Sequence, residues 1–475
     1  MRVHAFTDDA LADHDAVGLV AALHSGEVSV REVVDAAIAR VERVDPVLGA
    51  VAHAAHDRAR TEALDPRPGF FAGVPTYLKD NVAAAGMPTG DGTDAYTAPV
   101  ARRDGDVARM VRATGLVVLG KTRLSEFGFN AVAEHPRLGP VRSPWSTDHP
   151  AGASSAGAAA LVAAGAVPLA HANDGGGSIR IPASVNGLVG LKPTRDRLAQ
   201  DRVHRDMPVR IVSDGVLTRS VRDTAAFLRE AERVYRALHL PPVGDITRPG
   251  RARLRVALNT TGLRHGASPE VAALTRGVGA LLEDLGHHVE EVAEVPADAS
   301  LPDDFLLYWA FLASAVVRTG RLVHRRDWHP ERLDHLTRGL DRHLRRHVHH
   351  LPAALLRMRR APDRSAAFFA RHDVLLTPTV AHETPLLGHL SPTLDHATIV
   401  ERLLAWVAFT PVQNVTGDPS VSLPLATTSS GLPQGVVLSA GAGREALLLE
   451  LSLELEQARP FASVRGPGAA PGAVS

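Results

Sequence analysis

The chain has 475 residues, 45% of them hydrophobic, enough for one large α/β domain or two to three ordinary ones. Lys plus Arg and Asp plus Glu both number 52, so the net charge is zero and nothing electrostatic points to nucleic acid or an anionic membrane as partner. With no cysteine, disulfides, thiolate metal sites and cysteine nucleophiles drop out together.

The first ten residues, MRVHAFTDDA, are too polar and acidic for a secretion signal, and no uncharged apolar run reaches the roughly 18 residues that span a bilayer. A soluble, cytoplasmic protein is the default expectation. Residues 15–63 read as two amphipathic helices, the first stopping at Ser25-Gly26 and the second opening on Ser29 as N-cap, with Glu32 completing a capping box. Residues 74–78 suggest a short buried strand that delivers Lys79-Asp80-Asn81. A helix over 107–113 and an apolar strand over 116–119 begin a β-α-β rhythm. After a Gly/Ala/Ser-rich centre, 254–258 is again a strand, 269–285 a helix and 372–378 a strand stopped by Pro378. From Gly466 the chain becomes a Gly/Pro/Ala tail, expected to be disordered.

The stretch 150–194 carries most of the chemistry. Pro150-Ala151-Gly152-Ala153-Ser154-Ser155-Ala156-Gly157 feeds an alanine-rich helix that Gly165 ends, and its serines can be read simply as N-caps. A strand over 167–172 then leads into Asn173-Asp174-Gly175-Gly176-Gly177-Ser178-Ile179-Arg180. Three consecutive glycines are costly in chain entropy. They make sense either as a flexible turn or as backbone turning its N–H groups inward, as an oxyanion hole requires.

Together with Gly73-Val74-Pro75-Thr76-Tyr77-Leu78-Lys79-Asp80-Asn81, these segments resemble the amidase signature family over nearly the whole chain, residues 15–463. The family's lysine falls on Lys79, its bridging serine on Ser154 and its nucleophile on Ser178. Gly120-Lys121-Thr122 with Ser125-Glu126-Phe127, Gly187 to Thr194, and Phe409 to Pro419 match flanking motifs. Two of the family's glycines are alanines here, Ala153 and Ala156. Ala153 precedes Ser154 at a peptide bond that is cis in the family, and the departure leaves the three reacting side chains untouched.

The resemblance implies a single large domain over residues 1–465 with a mixed, twisted central β-sheet covered by helices on both faces. Its parts would be a helical region 15–63, a catalytic core 70–200 and a variable region about 240–365 that shapes substrate access. It implies no cofactor and no metal. A serine hydroxyl needs a base within hydrogen-bond reach, and a lysine serves only when neutral, which burial favours. Lys79 is therefore expected to take a proton from Ser154, and Ser154 one from Ser178. Backbone N–H groups of Gly175, Gly176 and Gly177, with that of Ser178, would meet the oxyanion. Asp174 and Arg180 would brace the site, as would Asp80, and Ser155 would either hold Lys79 or cap its helix.

Substrate is less legible. Ile181 stands where tRNA-dependent glutamine amidases of the family carry glutamine. The run from Asn173 to Ser184 and the segment Gly443 to Leu449 look more like hydrolases of linear and cyclic amides, including nylon oligomers. The expected partner is a small-molecule amide, with a homodimer compatible with the sequence. An acyltransferase or cyclase using the same acyl-enzyme is the alternative, and a non-catalytic binding protein the third reading. The His/Arg-rich stretch 324–350 places His343 and His347 one helical turn apart, a zinc-compatible spacing. No third ligand accompanies them and Arg342, Arg345 and Arg346 would repel a cation, so a solvated helical face is expected.

Overall fold

A computed structural model describes residues 1–466. Except for Gly466, the tail expected to be disordered lies outside the described residues.

The helices begin where the capping chemistry places them. Ser29 Oγ accepts from the Glu32 N–H while Glu32 Oε2 accepts from the Ser29 N–H at 2.8 Å, which opens the helix Val30–Leu48. The segment 15–63 holds more than the two expected helices: a strand, Val51–Ala54, and a third helix, His56–Glu62, follow them. The strand is only four residues long and alternates half-buried with exposed, with a single β-branched side chain. Too little periodicity remains to reveal it.

Eight strands form the main sheet, in the order His288–Glu291, Arg255–Leu258, Val374–Pro378, Pro433–Ser439, Ser420–Thr427, Val189–Lys192, Ser213–Thr218 and Leu169–Asp174. The first three are parallel and the remaining neighbours antiparallel, so the sheet is mixed as expected. A three-stranded sheet of Val51–Ala54, Val117–Thr122 and Pro75–Lys79 lies beside its last strand. Thr76 Oγ1 donates to the Leu169 carbonyl at 3.1 Å and the Lys79 N–H to His171 Nδ1 at 3.3 Å, so the two edge strands run in the same direction. Both end at one place, with Lys79 closing one and Asp174 the other.

Helices cover the sheets to give a single α/β domain. The helix Ala156–Ala163 is buried along its whole length, as suits a helix that is apolar on every face. Gly157 shows how tight the packing is: a Cβ there would overlap the Ala50 carbonyl oxygen and lie 2.8 Å from the Arg123 nitrogen. Ala156 and Ala153, which replace family glycines, are both accommodated as fully buried side chains. A second apolar cluster joins Phe129 and Ile181 to residues of the helices Leu301–His324, His335–His347 and His396–Trp406. By length and composition alone Leu301–Asp327 is apolar enough to cross a membrane. In this fold Leu306, Leu307, Ala310 and Ala313 of that helix are packed into the cluster.

The stretch 324–350 resolves into short 3-10 turns around the helix His335–His347. That helix buries Leu336, Leu340 and Leu344 and leaves Arg342, Arg345 and Arg346 in solvent. Its polar face is the solvated one expected, and it does not reach the cavity described next.

Candidate active site

Lys79 is fully buried at its strand end. Its Nζ lies 2.7 Å from Ser154 Oγ, 2.7 Å from Asn173 Oδ1 and 3.3 Å from the Asn173 carbonyl oxygen. The two Asn173 oxygens can only accept. A neutral amine has two N–H groups, which these two acceptors satisfy, and its lone pair then faces the one partner with a proton to give, the Ser154 hydroxyl. Burial lowers the Lys79 pKa to about 7, against the opposing pull of the Asp214 and Asp174 charges.

Asn173 is itself held in register. Its Nδ2 donates to Asn81 Oδ1 at 3.1 Å, and Asn81 Nδ2 donates back to Asn173 Oδ1 at 3.3 Å. His171 sits one turn of the pleat below, with Nδ1 accepting from the Lys79 N–H and Nε2 3.1 Å from Asp214 Oδ1. Because Nδ1 accepts, the ring proton is on Nε2 and points at Asp214. His171 thus fixes the backbone that carries Lys79 and makes no hydrogen bond to either serine among the described residues.

The glycine loop is pinned from below. Asp174 and Arg180 form a fully buried ion pair, Nη2 to Oδ1 2.8 Å and Nε to Oδ2 2.9 Å. Asp174 also accepts the N–H groups of Gly177 at 2.7 Å and Ile179 at 3.1 Å. Burial pushes its carboxyl up, yet Arg180 and the Asn414 amide outweigh that and hold it well below the usual carboxylate range. Arg180 in turn reaches Gln413 Oε1 and Asn414 Oδ1, at 2.8 and 2.7 Å, and Thr410 Oγ1 donates to the Gly176 carbonyl. This is the bracing expected of Asp174 and Arg180, with the segment Thr410–Asn414 as a second clamp. Asp80 braces elsewhere, accepting from Lys121 Nζ at 3.4 Å and the Gly90 N–H at 3.0 Å.

One expectation needs revision, and one open choice is narrowed. The Gly177 N–H cannot meet an oxyanion because it donates to Asp174; the N–H groups of Gly175, Gly176 and Ser178 have no acceptor among the described residues. Gly177 is required for conformation instead, with φ +132° and no room for a Cβ between Thr410 Oγ1 and Ile181. Ser155 stands at the N-cap of its helix, but its side chain makes no capping bond. It donates to the Asn173 carbonyl at 3.3 Å, the same oxygen that accepts from Lys79. The Ala153–Ser154 peptide bond is cis, as the resemblance implied.

Ser154 and Ser178 line one cavity of about 140 Å³. Ser178 Oγ makes no hydrogen bond among the described residues, and no bond joins it to Ser154, so Ser178 stands apart from the Lys79–Ser154 pair in this structure. The remaining wall is mostly apolar: Phe127, Phe129, Phe305, Trp309, Leu403 and Val407 surround the serines, with Asn81, Asn130, Asn173 and His204 as polar exceptions. Asn81 and Asn173 stand inside the sequence motifs, which by themselves assign them no role. An amide one strand over from a buried lysine was the signal. Phe305 and Trp309 come from Leu301–His324, far along the chain, and no motif marks them, whereas Phe127 and Phe129 lie in and beside the Ser125-Glu126-Phe127 segment.

A family model, Amidase, matches residues 32–449. Amidase AmiC of Mycobacterium tuberculosis, a provisional name, is 59% identical over 471 residues, covering 99% of each chain. A 6-aminohexanoate-cyclic-dimer hydrolase of Pseudomonas sp. is 34% identical over 483 residues, covering 95% of this chain and 96% of the relative. Among solved structures, 6-aminohexanoate cyclic dimer hydrolase complexed with substrate superposes with a TM-score of 0.86 at 31% identity, covering 94% of this chain and 97% of the other. Motifs, fold and whole-length relatives agree: the chain belongs to the amidase signature family, and it is a hydrolase.

Proposed function

We propose that the chain is an amidase that hydrolyses a carboxamide bond of a small molecule through an acyl-enzyme on Ser178. The observation that carries this reading is the 2.7 Å contact between a buried lysine, half neutral near pH 7, and a serine hydroxyl in the wall of the cavity that also holds Ser178. Once its hydroxyl turns onto Ser154, a bond this structure leaves unmade, Ser178 Oγ attacks the carbonyl carbon and passes its proton to Ser154, whose own proton goes to Lys79 Nζ. The oxyanion is met by the N–H groups of Gly175, Gly176 and Ser178, held by a loop that Asp174 and Thr410 make rigid. The C–N bond breaks as the relay runs back and protonates the departing nitrogen, and water then cleaves the ester by the same route.

The apolar wall favours an apolar acyl group, and the named relatives that act on 6-aminohexanoate cyclic dimer support a linear or cyclic aliphatic amide. The helix Leu301–His324, within the variable region, supplies part of that wall and so helps set substrate choice. A panel of aliphatic, aryl, amino-acid and lactam amides, with amine or ammonia release as readout, tests the proposal. Release by the parent enzyme and none by Ser178→Ala is expected; equal release by both would refute it. Product analysis with added hydroxylamine or amine separates hydrolysis from acyl transfer.

A further inference from the structure

His204 lies on the short helix Arg202–Arg205, outside every motif used above. Of that helix's four residues it alone turns inward, while the apolar Val203 is left 66% exposed. The usual preference of an apolar side chain for the interior is inverted there. The imidazole forms part of the cavity wall beside Met207, Ile211 and Val212, and nothing in the amide-cleaving relay uses it.

Its surroundings define what it offers. His204 Nδ1 is buried and without a hydrogen-bond partner among the described residues, and so is Oδ2 of the neighbouring Asp214. Buried polar atoms without partners are uncommon, and each costs free energy when it stays so. Burial lowers the His204 pKa, against Asp214 and Asp201, whose charges favour its protonation. A neutral imidazole carries its proton on one nitrogen and a lone pair on the other. Nε2 makes no hydrogen bond among the described residues and is absent from the fully buried unpartnered atoms, so it keeps accessible surface and is the nitrogen placed to present that lone pair to a substrate.

We infer that His204 is a specificity-determining residue whose Nε2 accepts a hydrogen bond from an N–H or O–H group of the substrate. The inference rests on the amidase reading and deepens it. The substrate is then not a plain hydrocarbon amide: it carries a hydrogen-bond donor in addition to its scissile bond, as a hydroxy-amide or a second carboxamide would. An apolar pocket distinguishes a hydroxyl from a methyl only weakly, whereas a site built around an acceptor prefers the donor-bearing compound.

The test uses matched amides in which a hydroxyl replaces a terminal methyl, on the acyl chain in one pair and on the amine in the other. The ratio of kcat/KM within each pair is measured for the parent, His204→Leu and His204→Gln. For one of the two pairs, the parent should favour the hydroxyl member by roughly 5- to 20-fold. That preference should vanish in H204L, mostly through KM, and return in part in H204Q, whose amide oxygen still accepts. Equal slowing of both members, or an unchanged ratio in H204L, would overturn the assignment. Calorimetric binding of the same pairs to Ser178→Ala, with and without H204L, reads the preference without turnover. A His204-dependent binding preference with no hydrolysis by the parent would leave the inference standing and sink the amidase reading alone.

Discussion

Replacing Asn173 with aspartate changes the charge beside Lys79 with almost no change of shape. The new carboxylate would sit where Oδ1 now lies, 2.7 Å from Nζ. At an effective dielectric of about 20, an ion pair at about that distance is worth roughly 6 kcal/mol of Coulomb attraction. Desolvation of a carboxylate in this buried corner, and loss of the Nδ2 bond to Asn81, oppose it. A neighbouring opposite charge generally moves a pKa by about 1–3 units. The sign follows from the amine: attraction stabilises the ammonium, so the Lys79 pKa rises from about 7 to between about 8 and 10, and less neutral base remains at pH 7. Profiles of kcat/KM against pH report the free enzyme. For the parent they should rise with unit slope and reach half-maximum near pH 7. For N173D the limb should move up by about 1–3 units, with activity at pH 7 down roughly 5- to 500-fold and largely restored at high pH. An unmoved limb, or a loss of the same size at every pH, would mean that the titrating group is not Lys79 or that Asn173 acts only through shape.

Other perturbations have outcomes that the geometry fixes. Ser178→Ala should lower kcat by roughly 10⁶-fold, as for other catalytic serines, and leave the thermal midpoint within a few degrees, because Ser178 Oγ makes no hydrogen bond among the described residues. Gly177→Ala should abolish activity and lower the melting temperature, since a Cβ would overlap Thr410 Oγ1 and lie 2.7 Å from Ile181 Cδ1 at a positive φ. Asp174→Asn leaves the buried Arg180 without its counter-charge and should cost about 3–5 kcal/mol in urea denaturation. Lys192 is also fully buried and its pKa is lowered to about 7, burial being the main cause. In the unfolded chain it holds its proton up to about pH 10.5. Folding must remove that proton between those values, so this lysine makes the parent more stable as pH rises through the window. Lys192→Met has no such group, and its stability relative to the parent should decline as pH is raised from 7.5 to 10, as equilibrium denaturation would measure.

Local chemistry made much of this site legible in the sequence. Lys79, Ser154 and Ser178 lie in segments where strand ends, small residues and glycines are adjacent in the chain, so each motif fixes its own geometry. The Asp174–Arg180 pair was readable for the same reason, being six residues apart. What escaped was set by contacts between distant segments. The donation from Gly177 to Asp174 depends on how the loop closes on its own carboxylate, and three glycines look equivalent until it does. Asn173 gained its role because the strand Leu169–Asp174 lies beside Pro75–Lys79, a sheet-edge pairing that no local pattern encodes. The strand Val51–Ala54 was hidden by its brevity, and the Phe305 and Trp309 part of the cavity wall by its origin in a helix over a hundred residues from the serines. His204 gave no sign at all, since an isolated histidine between exposed residues reads as surface.

The central claim is that Ser178 is a nucleophile activated through Ser154 by an uncharged Lys79. Labelling with a fluorophosphonate tests it most directly, with the adduct located by peptide mass spectrometry and the labelling rate followed from pH 5 to 9. The account predicts one adduct, on Ser178, forming at a rate that climbs through a midpoint near pH 7 and collapses in Lys79→Met. Modification of a different serine, or labelling of Ser178 at a rate indifferent to pH and to loss of the lysine, would contradict it.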